Sequence, residues 1–302
     1  MKLLFFISAF FLSLSLLAQL HEEKNLLEIT RGSSHDTLKI KAYIRLGEIY
    51  TQTKNPSAQR MLENALNISE KINYRYGISR SYSAIGDYYY ETGEYHPALK
   101  FYRKALKIAQ TIKNKLEESQ CYLNIGNIYS DQGKYDLALE YYEKSGHLSN
   151  ELKNNKGISV YYLSIANVYK EQGKLNEALQ CYLKSLKYGD QLKDKNHISR
   201  CYANIGIIYA MQNMFDQSLD YLEKALKIKE ELQDLKGIYG NLSNIGNIYY
   251  LQGNIEKALH YYFRSQKMIE QTGNKREISG CYNNIGNIYS ENKDYQKALM
   301  YF

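Results

Sequence analysis

The chain has 302 residues, 44% hydrophobic and 24% charged, with only two prolines, Pro56 and Pro97. That is enough apolar material for a continuous core, and the scarcity of proline leaves no linker at which unrelated domains would divide. A formal charge of +7 over this length is too mild a bias to mark a nucleic-acid binder.

The first nineteen residues, MKLLFFISAFFLSLSLLAQ, stand apart. One lysine precedes an apolar run, Ala18-Gln19 follows, and charge resumes near His21. This is the layout of a secretory signal and is short for a membrane span, which needs about 20 residues. Leu16 occupies a place where a cleavage site prefers a small residue, so an uncleaved anchor stays open beside cleavage. Residues 1–19 are therefore expected to be a signal peptide. The rest should be exported, to a bacterial periplasm or cell envelope, with residues 20–39 forming an N-terminal helical cap.

From residue 40 to residue 302 the chain repeats. A small residue recurs at Gly86, Gly126, Ala166, Gly206, Gly246 and Gly286, each forty residues after the last, and Gly47 marks a more diverged copy thirty-nine before Gly86. A fixed period of this size means one supersecondary unit stacked on itself. About six complete repeats and a truncated one are expected. Phe302 stands at the place of Tyr142, midway through a second helix, so the natural chain is expected to continue.

Within a copy, Tyr82, Ile85, Gly86 and Tyr89 share one helical face, and Gly93 supplies the left-handed residue that ends the helix. Its counterparts are Gly133, Gly173, Asn213 and Gly253, while Lys293 breaks the series. Asp136, Asn176 and Asp216 read as N-caps of the second helix. The recurring mid-helix glycine, which costs about 1 kcal/mol against alanine, implies close approach to Ala98 and its equivalents. Two helices per copy give an all-α solenoid.

Tyr122, Ile125, Gly126, Tyr129, Ala138, Tyr142 and Ser145 match in order the signature positions of the tetratricopeptide repeat, which this array resembles. The resemblance implies a right-handed superhelix of antiparallel helix pairs, its first helices lining a concave groove. Two departures stand out. The period is forty rather than about 34 residues, as in the long-repeat variety, and turns such as KNNKG replace the signature proline.

Little in the chain suggests catalysis. The six histidines share no metal-ligand spacing, and there is no phosphate-binding glycine loop or nucleophile elbow. No cofactor is expected. Paired carboxylates such as Glu117-Glu118 and Glu230-Glu231 read as solvated charge near helix ends or on outer faces. The inter-repeat turns are basic (Lys113/Lys115, Lys153/Lys156, Lys193/Lys195), which suits an anionic partner or simple solubility. Cys121, Cys201 and Cys281 are too far apart to pair; a Cys181–Cys201 bond is conceivable, but all four read as small buried hydrophobes.

The candidate site is a row of amides. Asn124 and Asn127 share a face of the first helix, and Asn167, Asn204, Asn244, Asn247, Asn284 and Asn287 are their equivalents. The resemblance implies that such asparagines hold the backbone of an extended peptide or protein segment, since a carboxamide both donates and accepts. Specificity would then come from Arg80, Asp87, Leu163, Arg200, Ala203 and Ile207, with Ile207, Leu163 and Ala203 forming an apolar pocket. The alternative is that the amides bond adjacent helices together. The expected function is non-catalytic peptide or protein binding, without nucleic-acid or membrane contact by the repeats. A second reading is the sensor region of a longer signalling enzyme, a histidine kinase or nucleotide cyclase. A third is an assembly factor of the cell envelope.

Overall fold

A computed structural model describes residues 20–272 and 275–302. The expected signal peptide, residues 1–19, lies outside the described residues. After a helix α1 over residues 20–31, the helices are α2 (Asp36–Gln52), α3 (Ala58–Lys71), α4 (Arg75–Glu91), α5 (Tyr95–Thr111), α6 (Lys115–Asp131), α7 (Tyr135–Glu151), α8 (Asn155–Glu171), α9 (Leu175–Leu192), α10 (Lys195–Met211), α11 (Phe215–Glu231), α12 (Leu235–Leu251), α13 (Ile255–Glu270), α14 (Lys275–Glu291) and α15 (Tyr295–Tyr301). No strand occurs among the described residues, and no described helix is long and apolar enough to cross a membrane. The fold is all-α, an array of antiparallel helix pairs. It divides into two compact units, one ending at Tyr161 and the next beginning at Tyr162, inside α8.

The turns make the array. Within a pair, Gly93 (φ +80°) and Gly133 (φ +70°) are left-handed, and the amide after each closes the helix end, as in Glu94 N–H to the Tyr89 carbonyl at 2.8 Å. Lys293, which interrupts the glycine series, adopts the same conformation at φ 60°, so the backbone repeats where the sequence does not. Between pairs, Asn73, Lys113, Lys153, Lys193 and Gln233 are also left-handed, φ 51–55°. Side-chain caps sit at Asn114, Asp194, Asp234, Asn254 and Asp294, each accepting from the amide three residues on. Asp136, Asn176 and Asp216 are not caps. Their helices begin one residue earlier, at Tyr135, Leu175 and Phe215, and leave them in the first turn, where the carboxylates of Asp136 and Asp216 complement the helix dipole.

The recurring glycine makes room for an aromatic ring more than for Ala98. A β-carbon on Gly86 would stand 2.6 Å from the Tyr102 ring, and one on Gly126 would stand 2.7 Å from Tyr142. Tyr102, Tyr142, Tyr182 and Tyr262 are all buried at the seam between the two helices of their pair. In the first unit Ala98, Tyr102, Ile125 and Ile128 form one core cluster, and in the second Leu163, Ala166, Ala178, Tyr182, Cys201, Ile205 and Ile208 form another. All four cysteines are free thiols; three are buried, and Cys181 is half-buried.

Candidate functional site

First helices of consecutive pairs touch directly (α2 with α4, α4 with α6, and α10 with α12) and form a row in each unit. The residue after the recurring small residue projects from this row. In the exact forty-residue series these residues are Asp87 and Asn127 in the first unit and Asn167, Ile207, Asn247 and Asn287 in the second; the diverged copy at Gly47 has Glu48.

Four of these six positions meet a tyrosine hydroxyl from the second helix of their own pair. Tyr102 Oη donates to Asp87 Oδ1 at 2.7 Å, Tyr142 to Asn127 Oδ1 at 2.8 Å, Tyr182 to Asn167 Oδ1 at 2.6 Å, and Tyr262 to Asn247 Oδ1. A buried hydroxyl without a partner would cost about 1–3 kcal/mol, so the carboxamide oxygen has a structural task. Two positions depart from the pattern. Ile207 stands opposite Leu222, so where the hydroxyl is gone the amide is gone too. Asn287 belongs to the pair in which Phe302, without a hydroxyl, fills the tyrosine's place against Gly286.

The amide nitrogens are a different matter. Asn127, Asn167 and Asn247 make no further hydrogen bond among the described residues, and their nitrogens are not buried. Asn127 and Asn167 are half-buried and Asn247 is exposed. Each side chain is therefore divided, with its oxygen turned inward to the fold and its nitrogen outward to solvent.

Asn124 is tied into the scaffold. Its Nδ2 donates to Asp87 Oδ1 at 3.1 Å, across consecutive pairs, and its Oδ1 accepts from Gln120 at 3.0 Å. Its counterparts Asn204, Asn244 and Asn284 are half-buried and make no such bond among the described residues. Arg200 is exposed and Ala203 half-buried. Leu163 cannot line an open pocket with Ile207: it is 2% exposed and packs into the core against the α10 face carrying Cys201 and Ile205.

The first unit adds an electrostatic cluster. Arg80 lies 3.5 Å from Glu117 and 4.0 Å from Glu48. Glu117 is 5% exposed, so half of the Glu117-Glu118 pair is buried beneath Arg80 instead of solvated. Burial pushes the Asp87 carboxyl up to about 6, against the opposing pull of the Tyr102 hydroxyl and the Arg80 charge. A cleft of about 280 Å³, lined in part by Ile44, Glu48, Tyr76 and Arg80, opens beside this cluster. By contrast, the basic turns are partly neutralised: Lys115 pairs with Glu151, and Lys195 with Glu231 at 2.8 Å.

Sequence reasoning placed the amides but missed the tyrosines that hold them and the buried partner of Arg80. The signal for the first was present. The residue fifteen positions after Asn127, Asn167 and Asn247 is tyrosine; it is leucine where the amide becomes Ile207, and Phe302 after Asn287.

Family models for the tetratricopeptide repeat match residues 38–111, 119–145, 158–231 and 239–302. The chain belongs to the tetratricopeptide repeat family. No curated protein sequence matches it. Solved structures share its fold at low identity. One is a Rap protein complexed with Competence and Sporulation Factor, at 13% identity and TM-score 0.65, covering 94% of this chain and 89% of that one. Another is NprR in complex with its cognate peptide NprX, at 15% identity and TM-score 0.63, covering 99% and 88%. A third is a signal-transduction ATPase with a tetratricopeptide repeat sensor from Pyrococcus horikoshii, at 18% identity and TM-score 0.64, covering 85% of this chain and 41% of that one. In tetratricopeptide terms, the asparagine row lies on the first helix of each repeat and the tyrosines on the second.

Proposed function

We propose that this tetratricopeptide array binds an extended peptide or protein segment along the first-helix face of its repeats, without performing chemistry on it. The observation that carries the reading is the set of amide nitrogens at Asn127, Asn167 and Asn247, directed to solvent and unclaimed by the described residues. Within a unit, donors carried on successive first helices suit a ligand with a series of polar groups, and a peptide backbone is such a ligand. The structure of NprR with its cognate peptide shares the fold and supports the choice of ligand class. Selection of a displayed random 12-residue peptide library against the full chain tests it. Binders whose affinity falls at least tenfold in the Asn127→Ala/Asn167→Ala/Asn247→Ala variant, in protein that remains helical, are expected. Failure to recover any binder competed by free peptide would overturn the reading.

A second reading has the array serving as the sensing part of a signalling protein. The Pyrococcus structure favours it, because there a tetratricopeptide sensor occupies part of a longer chain. The two readings are compatible, since a sensor of this kind works by binding. We further propose export, on the strength of the leader-like composition of residues 1–19.

A further inference from the structure

The tyrosine hydroxyls do more than fill hydrogen-bonding capacity, because they fix which end of each carboxamide faces outward. A free asparagine can turn either its oxygen or its nitrogen to a ligand. At Asn127 and Asn167 the oxygen accepts from a tyrosine at 2.8 and 2.6 Å. These lengths are typical of an O–H···O bond and short for N–H···O.

The direction of the bond is set by an internal comparison. Position 87 is the equivalent place in an earlier repeat, and there an aspartate stands in the same geometry, 2.7 Å from Tyr102. An ionised carboxylate can only accept, so the hydroxyl at this place is a donor. Asn124 donating to the same Asp87 oxygen agrees with that assignment. At Ile207 and Leu222 amide and hydroxyl are absent together, whereas Asn287 keeps the amide opposite Phe302.

We propose that the buried tyrosines lock the asparagine row into a donor-only array. Asn127, Asn167 and Asn247 then present N–H groups alone and recognise carbonyl or carboxylate oxygens of a bound segment, not its amide hydrogens. This rests on the peptide-binding reading and sharpens it. The ligand lays its oxygen-bearing edge on Asn167 and Asn247 of the second unit. In the second unit Ile207 interrupts the array with an apolar step, where the segment needs no carbonyl directed inward. In the first unit Asp87 reverses the polarity. Its Oδ1 is taken by Tyr102 and Asn124, which leaves its second oxygen as an acceptor in the field of Arg80 and Glu48. Asn287 lacks the tyrosine and stays free to turn either way.

Two measurements test the lock. The first needs no ligand: hydrogen exchange of the side-chain amide protons of Asn167 and Asn247 by NMR. Exchange at unprotected rates is expected, because the tyrosines hold the oxygens. Protection of these protons that disappears in Tyr182→Phe and Tyr262→Phe would mean that the tyrosines accept from the nitrogens, and would overturn the inference. The second uses peptides recovered from the random display library. Asn167→Asp with Asn247→Asp replaces outward donors with acceptors while keeping the tyrosine bond, as Asp87 does. Affinity should fall at least tenfold in protein that remains helical and unfolds cooperatively, with a melting temperature lowered at neutral pH as a carboxylate at this place implies. Asn287→Asp should cost less affinity. Binders that tolerate the Asn→Asp pair at full affinity would overturn the inference and leave peptide binding standing. A library yielding no binder would remove both.

Discussion

Replacing Asn167 with isoleucine, the residue that stands in its place at position 207, isolates what the tyrosine contact contributes. Tyr182 is fully buried and its hydroxyl donates to Asn167 Oδ1 at 2.6 Å. In Asn167→Ile the hydroxyl loses that acceptor, and leaving such a group unsatisfied costs about 1–3 kcal/mol. In Tyr182→Phe the hydroxyl is gone and the half-buried amide oxygen can turn to water, so the loss should be smaller, about 0.5–1.5 kcal/mol. The double variant Asn167→Ile/Tyr182→Phe leaves no polar group stranded and approximates the natural Ile207–Leu222 pair, because removing both partners of a buried hydrogen bond is far milder than removing one. The double-mutant cycle should therefore show a coupling of about 1 kcal/mol, with the double variant more stable than Asn167→Ile alone. Urea unfolding followed by circular dichroism reads the midpoints, and an unchanged slope would show that the unfolding unit is the same in all four proteins. Single-variant losses that add to within about 0.5 kcal/mol would refute the reasoning, since independent sites behave that way.

Two further expectations follow from local geometry. The Asp87 carboxyl is held at about 6, above its ordinary 3.8, chiefly by burial. The folded protein therefore binds the proton more tightly than the unfolded chain, and stability falls as pH rises from about 4 through 6. Asp87→Asn, which copies Asn127, should raise the melting temperature at pH 7.5, by the equivalent of about 1–2 kcal/mol, and change it little at pH 4. A gain of equal size at both pH values would contradict the assignment. Lys193 holds a left-handed φ of 54°, which costs a side-chain-bearing residue roughly 1 kcal/mol. Lys193→Gly should recover most of that as a higher urea midpoint, whereas a lowered midpoint would mean that the side chain has a role in the turn.

The sequence alone determined the architecture. A forty-residue period with Tyr, Ile, Gly and Ala at fixed offsets is a statement about helix faces, and periodicity survives local substitution. That is why Ala166 in place of glycine, and Lys293 at a glycine turn, leave the helix pairs intact. The positions of the asparagine row were legible for the same reason, since a residue next to the packing glycine must share its helix face or border it. What the amides touch was decided only by tertiary structure. Tyr142 was readable as a packing aromatic, but whether its hydroxyl ends at Asn127 depends on how deeply the ring enters the space vacated by Gly126. Leu163 and Glu117 show the same limit from the other side. The helical period puts a residue on a face, but the neighbouring pair determines whether that face is covered. Leu163 is sealed into the core by α10, and Glu117 is drawn beneath Arg80, because burial of a charge is tolerated where an opposite charge is supplied across the contact.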